Sequence, residues 1–230
     1  MARRVVRERL SRELIVDVAM SLADDEGLEA VTMRRVATAL HCEAMSLYHH
    51  VPGKDALLAA LTDRVVGLVV EVSVQVTAST WIETVRERCL MAREVLLQHP
   101  WGPSVLTSST QMPPSAWVLY EHLLATLASA GFDDDLAHRA VHALGSMLFG
   151  FSTELFEPDG GAEPPDEATM AVIAAQMPHL ARLAAAVVHE TDGALSGCDT
   201  RAEFVFTLGL VLDGLEQERA RRAGGPSSSV

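Results

Sequence analysis

The chain has 230 residues, a formal charge of −13 and 49% hydrophobic residues, of which only a small share is aromatic. That length supports one medium domain or a small domain joined to a larger one, and apolar content rich in Ala, Val and Leu favours helices over strands. No apolar run reaches membrane-spanning length, and the basic start MARRVVRERLSREL lacks the uninterrupted apolar stretch of a signal peptide, so a cytoplasmic protein without a membrane segment is expected.

The chain opens on charge. Five arginines (Arg3, Arg4, Arg7, Arg9 and Arg12) stand against one acid, Glu8, within the first twelve residues. Residues 1–55 hold 8 basic and 9 acidic side chains, whereas residues 56–230 hold 10 and 22. The negative charge therefore belongs to the second part, and a polyanion would be drawn to the front. Leu14, Ile15, Val18, Ala19 and Leu22 then keep helical spacing, with Ser11 as N-cap and Gly27 as the stop. Thr32 caps a second helix that turns Val36, Ala37 and Leu40 inward. After a break near His41 and Cys42, a third short helix runs from about Glu43 to His50 with Leu47 inward. Pro52 and Gly53 end it.

A long helix is expected from Lys54 to about Val76 on the stripe Leu57, Leu58, Leu61, Val65, Leu68 and Val72. Its end, VVGLVVEVSVQV, has strand-like composition, but continuity with the preceding stripe favours helix. Thr80 caps a helix over 81–98 that HPWGP stops. Further helices are expected over 114–129, closed by Gly131, and onward from the acidic residues 133–135, whose charge suits a helix N-terminus. The Pro-, Gly- and acid-rich stretch 157–168 reads as a mobile loop. A helix over about 170–189, a turn, a last amphipathic helix from Arg201 and a flexible tail at 223–230 complete the chain. No internal repeat is evident. Cys42, Cys89 and Cys198 have neither zinc spacing nor a disulfide framework and read as buried, reduced thiols.

Two short helices joined by a tight turn and braced by a third make a helix-turn-helix arrangement. A helix of that kind fits the major groove, where short side chains on its outer face reach base edges. The segment LIVDVAMSLADDEGLEAVTMRRVATALHCEAMSLYHHVPGKDALLAAL, above all DEGLEAVTMRRVATAL and SLYHHVPGKDALL, resembles the DNA-binding domain of the tetracycline-repressor (TetR) family of bacterial transcription regulators. TWIETVRERC, HPWG, AGFDDDLAHRAVHALGSMLFGF and FVFTLGLVLDGLE follow the core domain of the tetracycline-binding branch more loosely. The resemblance implies an all-α protein. Residues 1–53 would form a three-helix helix-turn-helix DNA-binding domain, 54–222 a helical ligand-binding and dimerisation domain, and 223–230 a tail. It also implies a homodimeric repressor that a small-molecule effector releases from a palindromic double-stranded DNA operator.

Carried over residue by residue, the resemblance puts base contacts at Arg34, Ala44, Met45 and Ser46, with His49 beside them. Phosphate contacts fall on Thr32, Tyr48, His50 and Lys54. Arg34 is the strongest expected base reader, bidentate to guanine; the alternative is a solvated or phosphate-bound cation. Tyr48 alternatively serves packing. Ala44 and Met45 offer only apolar contact, for instance to a thymine methyl. His41 stands where the family's turn has glycine, a costly exchange if the backbone there is left-handed. Neighbours on a helix point about 100° apart, so His49 and His50 cannot chelate one ion.

In the tetracycline-binding branch a magnesium–drug chelate is held at positions that here carry Val70, Arg88 and Leu106. Of the branch's drug-binding positions only the acidic one, late in the central bundle helix, is kept, as Glu154. Valine and leucine supply no oxygen ligand, so neither a metal nor another cofactor is expected. The candidate cavity residues are Val70, Arg88, Ala92, Leu106, Trp117, Tyr120, Met147, Phe151 and Glu154, an apolar set with few polar groups that suits a hydrophobic effector. Arg88 would anchor a carboxylate or phenolate, or else pair with Glu154 or another nearby acid. Trp101 and Trp117 read as core rather than as ligand platforms. FVFTLGLVLDGLE is apolar on more than one face, which points to a second copy packed there and a two-fold four-helix bundle completed by the helix around 141–155. No phosphate loop, His–Glu metal motif or nucleophile elbow is present, so no enzyme is expected. A ligand-carrying or protein-interaction module without operator binding is the rival reading.

Overall fold

The computed structural model describes residues 9–109, 111–151, 167–179, 181–182 and 200–224. Arg3, Arg4, Arg7, Glu154 and Cys198 lie outside the described residues, as do most of the 157–168 loop and of the tail. The elements are α1 (Arg12–Glu26), a 3₁₀ turn (Leu28–Ala30), α2 (Met33–Ala39), α3 (Ala44–Tyr48), α4 (Lys54–Ser73), α5 (Trp81–Gln98), α6 (Gly102–Ser108), α7 (Pro114–Ser129), α8 (Asp134–Gly150), α9 (Glu167–Gln176) and α10 (Thr200–Gly224). Every regular element among the described residues is thus helical, and none is long and apolar enough to cross a membrane.

Local chemistry sets the helix starts. Ser11 accepts the Leu14 N–H, Thr32 that of Arg35 and Asp133 that of Leu136. Thr80 and Glu83 close a reciprocal capping box on α5. Each such cap is worth about 1 kcal/mol. The strand-like end of α4 is helical, though α4 stops at Ser73, short of the expected Val76. HPWGP ends α5 as expected, but it also opens α6, which the sequence reading missed. Pro103 lies in the first turn of α6, where a missing N–H costs nothing. The helix expected over 170–189 is α9, from Glu167 to Gln176, and residues 183–189 lie outside the described residues.

By contact the chain forms one unit of Met1–Ser152 with Val211–Val230 and a second of Thr153–Leu210. In the first unit α4 packs on α1, α5, α6 and α7 and acts as its spine. The main core joins Ile15, Ala19, Val36 and Leu47 of the first three helices to Leu61, Val65, Leu96, Trp101 and Val105. Gly53, at φ 135, makes the turn into α4, and the core runs past it without a gap. A second core gathers Leu127, Phe132, Leu136, Ala140 and Leu215, with Trp81 edge-on to Phe132 at 4.9 Å. Val69, Ala92 and Val95 form a third, smaller cluster. In the second unit α9 leaves Val172 exposed and the first half of α10 leaves Phe206 and Leu210 exposed.

Candidate nucleic-acid interface and effector cavity

The reading head is α1 to α3, and α3 is its shortest helix. It is anchored by Leu47, which is fully buried. The turn between α2 and α3 depends on His41, whose φ is 53, the only positive value at a non-glycine among the described residues. The Cys42 N–H donates to the Ala37 carbonyl across it, closing a Schellman-type end to α2. The left-handed turn expected from the family's glycine is therefore present, with histidine carrying the strain.

Around this turn the candidate contacts divide. Arg34 is exposed and has no carboxylate partner among the described residues, whereas its neighbour Arg35 is tied to Glu26. Met45 is 71% exposed, and Tyr48, His49 and His50 are exposed. Ser46 is half-buried, and Ala44 packs against the head's core rather than standing free. Thr32 spends its hydroxyl on the cap of α2. Lys54 is exposed at the first position of α4, where the helix dipole disfavours a cation. A phosphate there would satisfy both the lysine and the helix N-terminus. Glu43 was missed by the sequence reading. It is exposed at the N-cap of α3 yet makes no side-chain cap. The signal was an acid at a cap position beside the expected base contacts, and a carboxylate is chemically suited to a cytosine amino group.

A cavity of about 120 Å³ lies among α4, α5, α7 and α8. Of the expected lining, Arg88, Ala92 and Tyr120 are there. The neighbours Val69, Leu148 and Phe149 line it in place of Val70, Met147 and Phe151. Leu106 packs against the head's core, and Trp117 is 65% exposed on α7. Of the two tryptophans read as core, only Trp101 is buried. The lining that sequence reasoning missed includes Ser73, Val85, Cys89, His122, Leu123 and Gly145. Burial pushes the Cys89 thiol up to about 12, so it stays protonated and serves as wall.

Arg88 is the charged group of this wall. Its Nη1 donates to the His122 carbonyl at 3.1 Å and to Thr126 Oγ1 at 2.9 Å, and its Nη2 to the Val76 carbonyl at 3.0 Å. All three acceptors are neutral, and no carboxylate pairs with it among the described residues. Its Nε is buried without a partner. Burial lowers its pKa below the ordinary arginine value. A guanidinium left uncompensated in an apolar wall is a standing cost that an incoming anion offsets. Among the described residues no group of three metal-ligating side chains comes together.

Comparison with known proteins places these two regions in context. Residues 15–61 match the profile of bacterial regulatory proteins of the tetR family, and residues 75–219 match the tetracyclin repressor-like C-terminal domain. The chain is 33% identical over 224 residues to the HTH-type transcriptional repressor DrrR1 of Streptomyces coeruleorubidus, covering 94% of this chain and 80% of that one. A possible TetR family transcriptional regulator from Streptomyces coelicolor superposes with a TM-score of 0.73 at 32% identity, covering 90% and 99%. The Streptomyces coelicolor protein ActR, solved in complex with actinorhodin, gives 0.71 at 25% identity, covering 92% and 99%.

Proposed function

The chain belongs to the TetR family of DNA-binding transcriptional regulators, and from that premise we propose a homodimeric repressor released from a palindromic operator by an aromatic effector bearing an acidic oxygen. The observation that carries the effector class is Arg88, a guanidinium held only by neutral oxygens in a largely apolar cavity. ActR, with actinorhodin bound, offers a parallel from a related chain.

The cavity's size supplies the mechanism. About 120 Å³ accommodates roughly a single ring, so a larger effector has to part α5 from α7 and α8. The effector shifts the equilibrium only by its preference for the parted form. In the effector-free form Arg34 reads a guanine, with Met45, Ser46 and His49 beside it. Lys54, Tyr48, His50 and Thr32 hold phosphates, and Ala44 packs the base of the reading helix. The second copy packs against the apolar residues that α10 exposes, Phe206 and Leu210. Two heads on one axis then meet successive major grooves about 34–36 Å apart.

Calorimetry with aromatic acids and their neutral amides or ethers tests the effector class. The acids bind, the neutral partners bind more weakly, and Arg88→Met removes the difference. Equal binding of both forms, or binding only of a magnesium–tetracycline chelate, contradicts the reading. Sequencing the genomic fragments that the protein retains identifies the operator. Retention of none supports instead a ligand-carrying module without operator binding.

A further inference from the structure

Asp24 lies in the last turn of α1, in the run Asp24-Asp25-Glu26. Three acids at a helix C-terminus oppose the helix dipole, and that turn holds no basic residue to offset them. A locally unfavourable placement of this kind marks residues kept for a contact made elsewhere. Glu26 has such a contact in Arg35. Asp24 has a more distant one. Its Oδ1 accepts the Trp101 indole N–H at 2.6 Å and lies 2.8 Å from His99 Nδ1. The His99 side chain is 13% exposed and that of Asp24 29%, so the contact is partly shielded from water and salt. Trp101 is itself buried in the core shared with Ile15, Val36 and Leu47.

The position of the two donors gives the contact its meaning. His99 ends α5 and Trp101 precedes α6. The Gly102 N–H donates to the His99 carbonyl at 2.7 Å and closes the elbow between the helices. A Cβ at Gly102 would stand 3.3 Å from Val65 of α4, so the elbow is already pressed against the spine. Farther back along α5, Arg88 and Ala92 line the cavity, while Leu96 already belongs to the head's core. A single helix thus has its middle in the cavity wall and its end joined, through one oxygen atom, to the first helix of the head.

We propose that Asp24 is a positioning residue for the reading head, passing displacement of the α5 cavity wall to α1 through His99 and Trp101. The proposal rests on the effector-released repressor reading above. An effector that parts α5 from α7 and α8 shifts the elbow. Because one Oδ1 serves both donors, a small shift weakens both contacts together. The head is then freed at α1.

Hydrogen exchange on the full-length protein, read by peptide, tests this without knowledge of the effector. Trp101→Phe keeps a six-membered aromatic ring and removes the pyrrole half of the indole that carries the donor. It and Asp24→Ala each speed exchange across α1 to α3 about tenfold while α7 and α8 keep their protection. Asp24→Asn retains an acceptor oxygen and restores most of the protection. Gly145 lines the cavity, and a Cβ there meets nothing within 4 Å, so Gly145→Leu serves as a tethered cavity filler. It loosens α1 to α3 in the wild-type background and has no such effect in the Trp101→Phe background. The proposal is overturned by head exchange that neither Asp24→Ala nor Trp101→Phe changes, or by acceleration spread equally over α7 and α8. It is also overturned by a Gly145→Leu effect that is equal in both backgrounds or absent from both. If the protein retains no genomic DNA, the repressor reading fails, while the exchange data still decide whether Asp24 couples the cavity to the head.

Discussion

The reading head and the far end of the body differ in how far their cations are paired, although Arg35 of the head is tied to Glu26. Where α8 and α10 meet, Arg139 pairs with Asp135, Arg219 with Glu216, and Arg221 with Glu218. Arg222 reaches Asp133, Asp135 and Glu218 together. Those bonds hold the carboxyls of Asp135, Glu216 and Glu218 down at about 2. Arg34 in the head and Lys54 at the start of α4 have no carboxylate partner among the described residues. A chain of net charge −13 has acids to spare. Cations left unpaired in such a chain are free to meet an anion from outside, which is the role proposed above for Arg34 and Lys54.

The largest effect that would break this contrast is on stability. Leu47→Ala removes the buried anchor of α3 and is expected to cost about 2–5 kcal/mol in urea unfolding. Trp117→Ala, on exposed α7 surface, is expected to stay within about 0.5 kcal/mol. Comparable costs would mean that α3 is not held as described. Next comes recognition. Arg34→Ala is expected to weaken operator binding by about 1–3 kcal/mol and to relax preference at one base pair, which a selection on randomised sites would show. Arg139→Ala, whose partner is Asp135, is expected to leave operator affinity unchanged.

Acid affects the body first. A carboxyl whose folded pKa lies below its unfolded value adds stability above the unfolded value, and the contribution disappears as pH falls through the folded one. For Asp135 the window runs from 3.8 down to about 2, and for Glu216 and Glu218 from 4.5 down to about 2. These groups face solvent, so the change is modest. The Trp81 indole N–H donates to Glu216 at 3.0 Å and reports it directly. Its NMR resonance is expected to hold steady above pH 4.5 and to move as the pH approaches 2. Movement centred near the ordinary glutamate value would show that the Arg219 contact does not form in solution. The smallest expected effect is a gain: His41→Gly relieves the left-handed turn and stabilises the head by about 1 kcal/mol in thermal unfolding.

The head was far more legible in the sequence than the cavity, for a geometric reason. Caps and turns are local: Ser11, Thr32, Thr80 and Gly27 announce helix ends through contacts within a few residues. The inward Leu47 and the strained His41 followed from spacing and from one departure from a motif. A cavity wall depends on how several helices are rotated, and one residue along a helix turns the side chain by about 100°. Hence Val70 was expected where Val69 stands, and Met147 where Leu148 stands. The helix α6 was hidden because Pro and Gly after α5 read as a terminator, although proline is equally suited to a first turn. The Asp24 contact joins residues 75 and 77 positions apart, beyond the reach of any local pattern.

The central claim, that unpaired cations of the head meet a polyanion while the paired cations of the body do not, is tested most directly by the salt dependence of operator affinity. For the wild-type protein, log K plotted against log salt concentration falls steeply. Lys54→Ala makes the slope shallower by about 1, the share of a single phosphate, and Arg139→Ala leaves it unchanged. A flat slope, or one that Arg139→Ala alters as much as Lys54→Ala, contradicts the account.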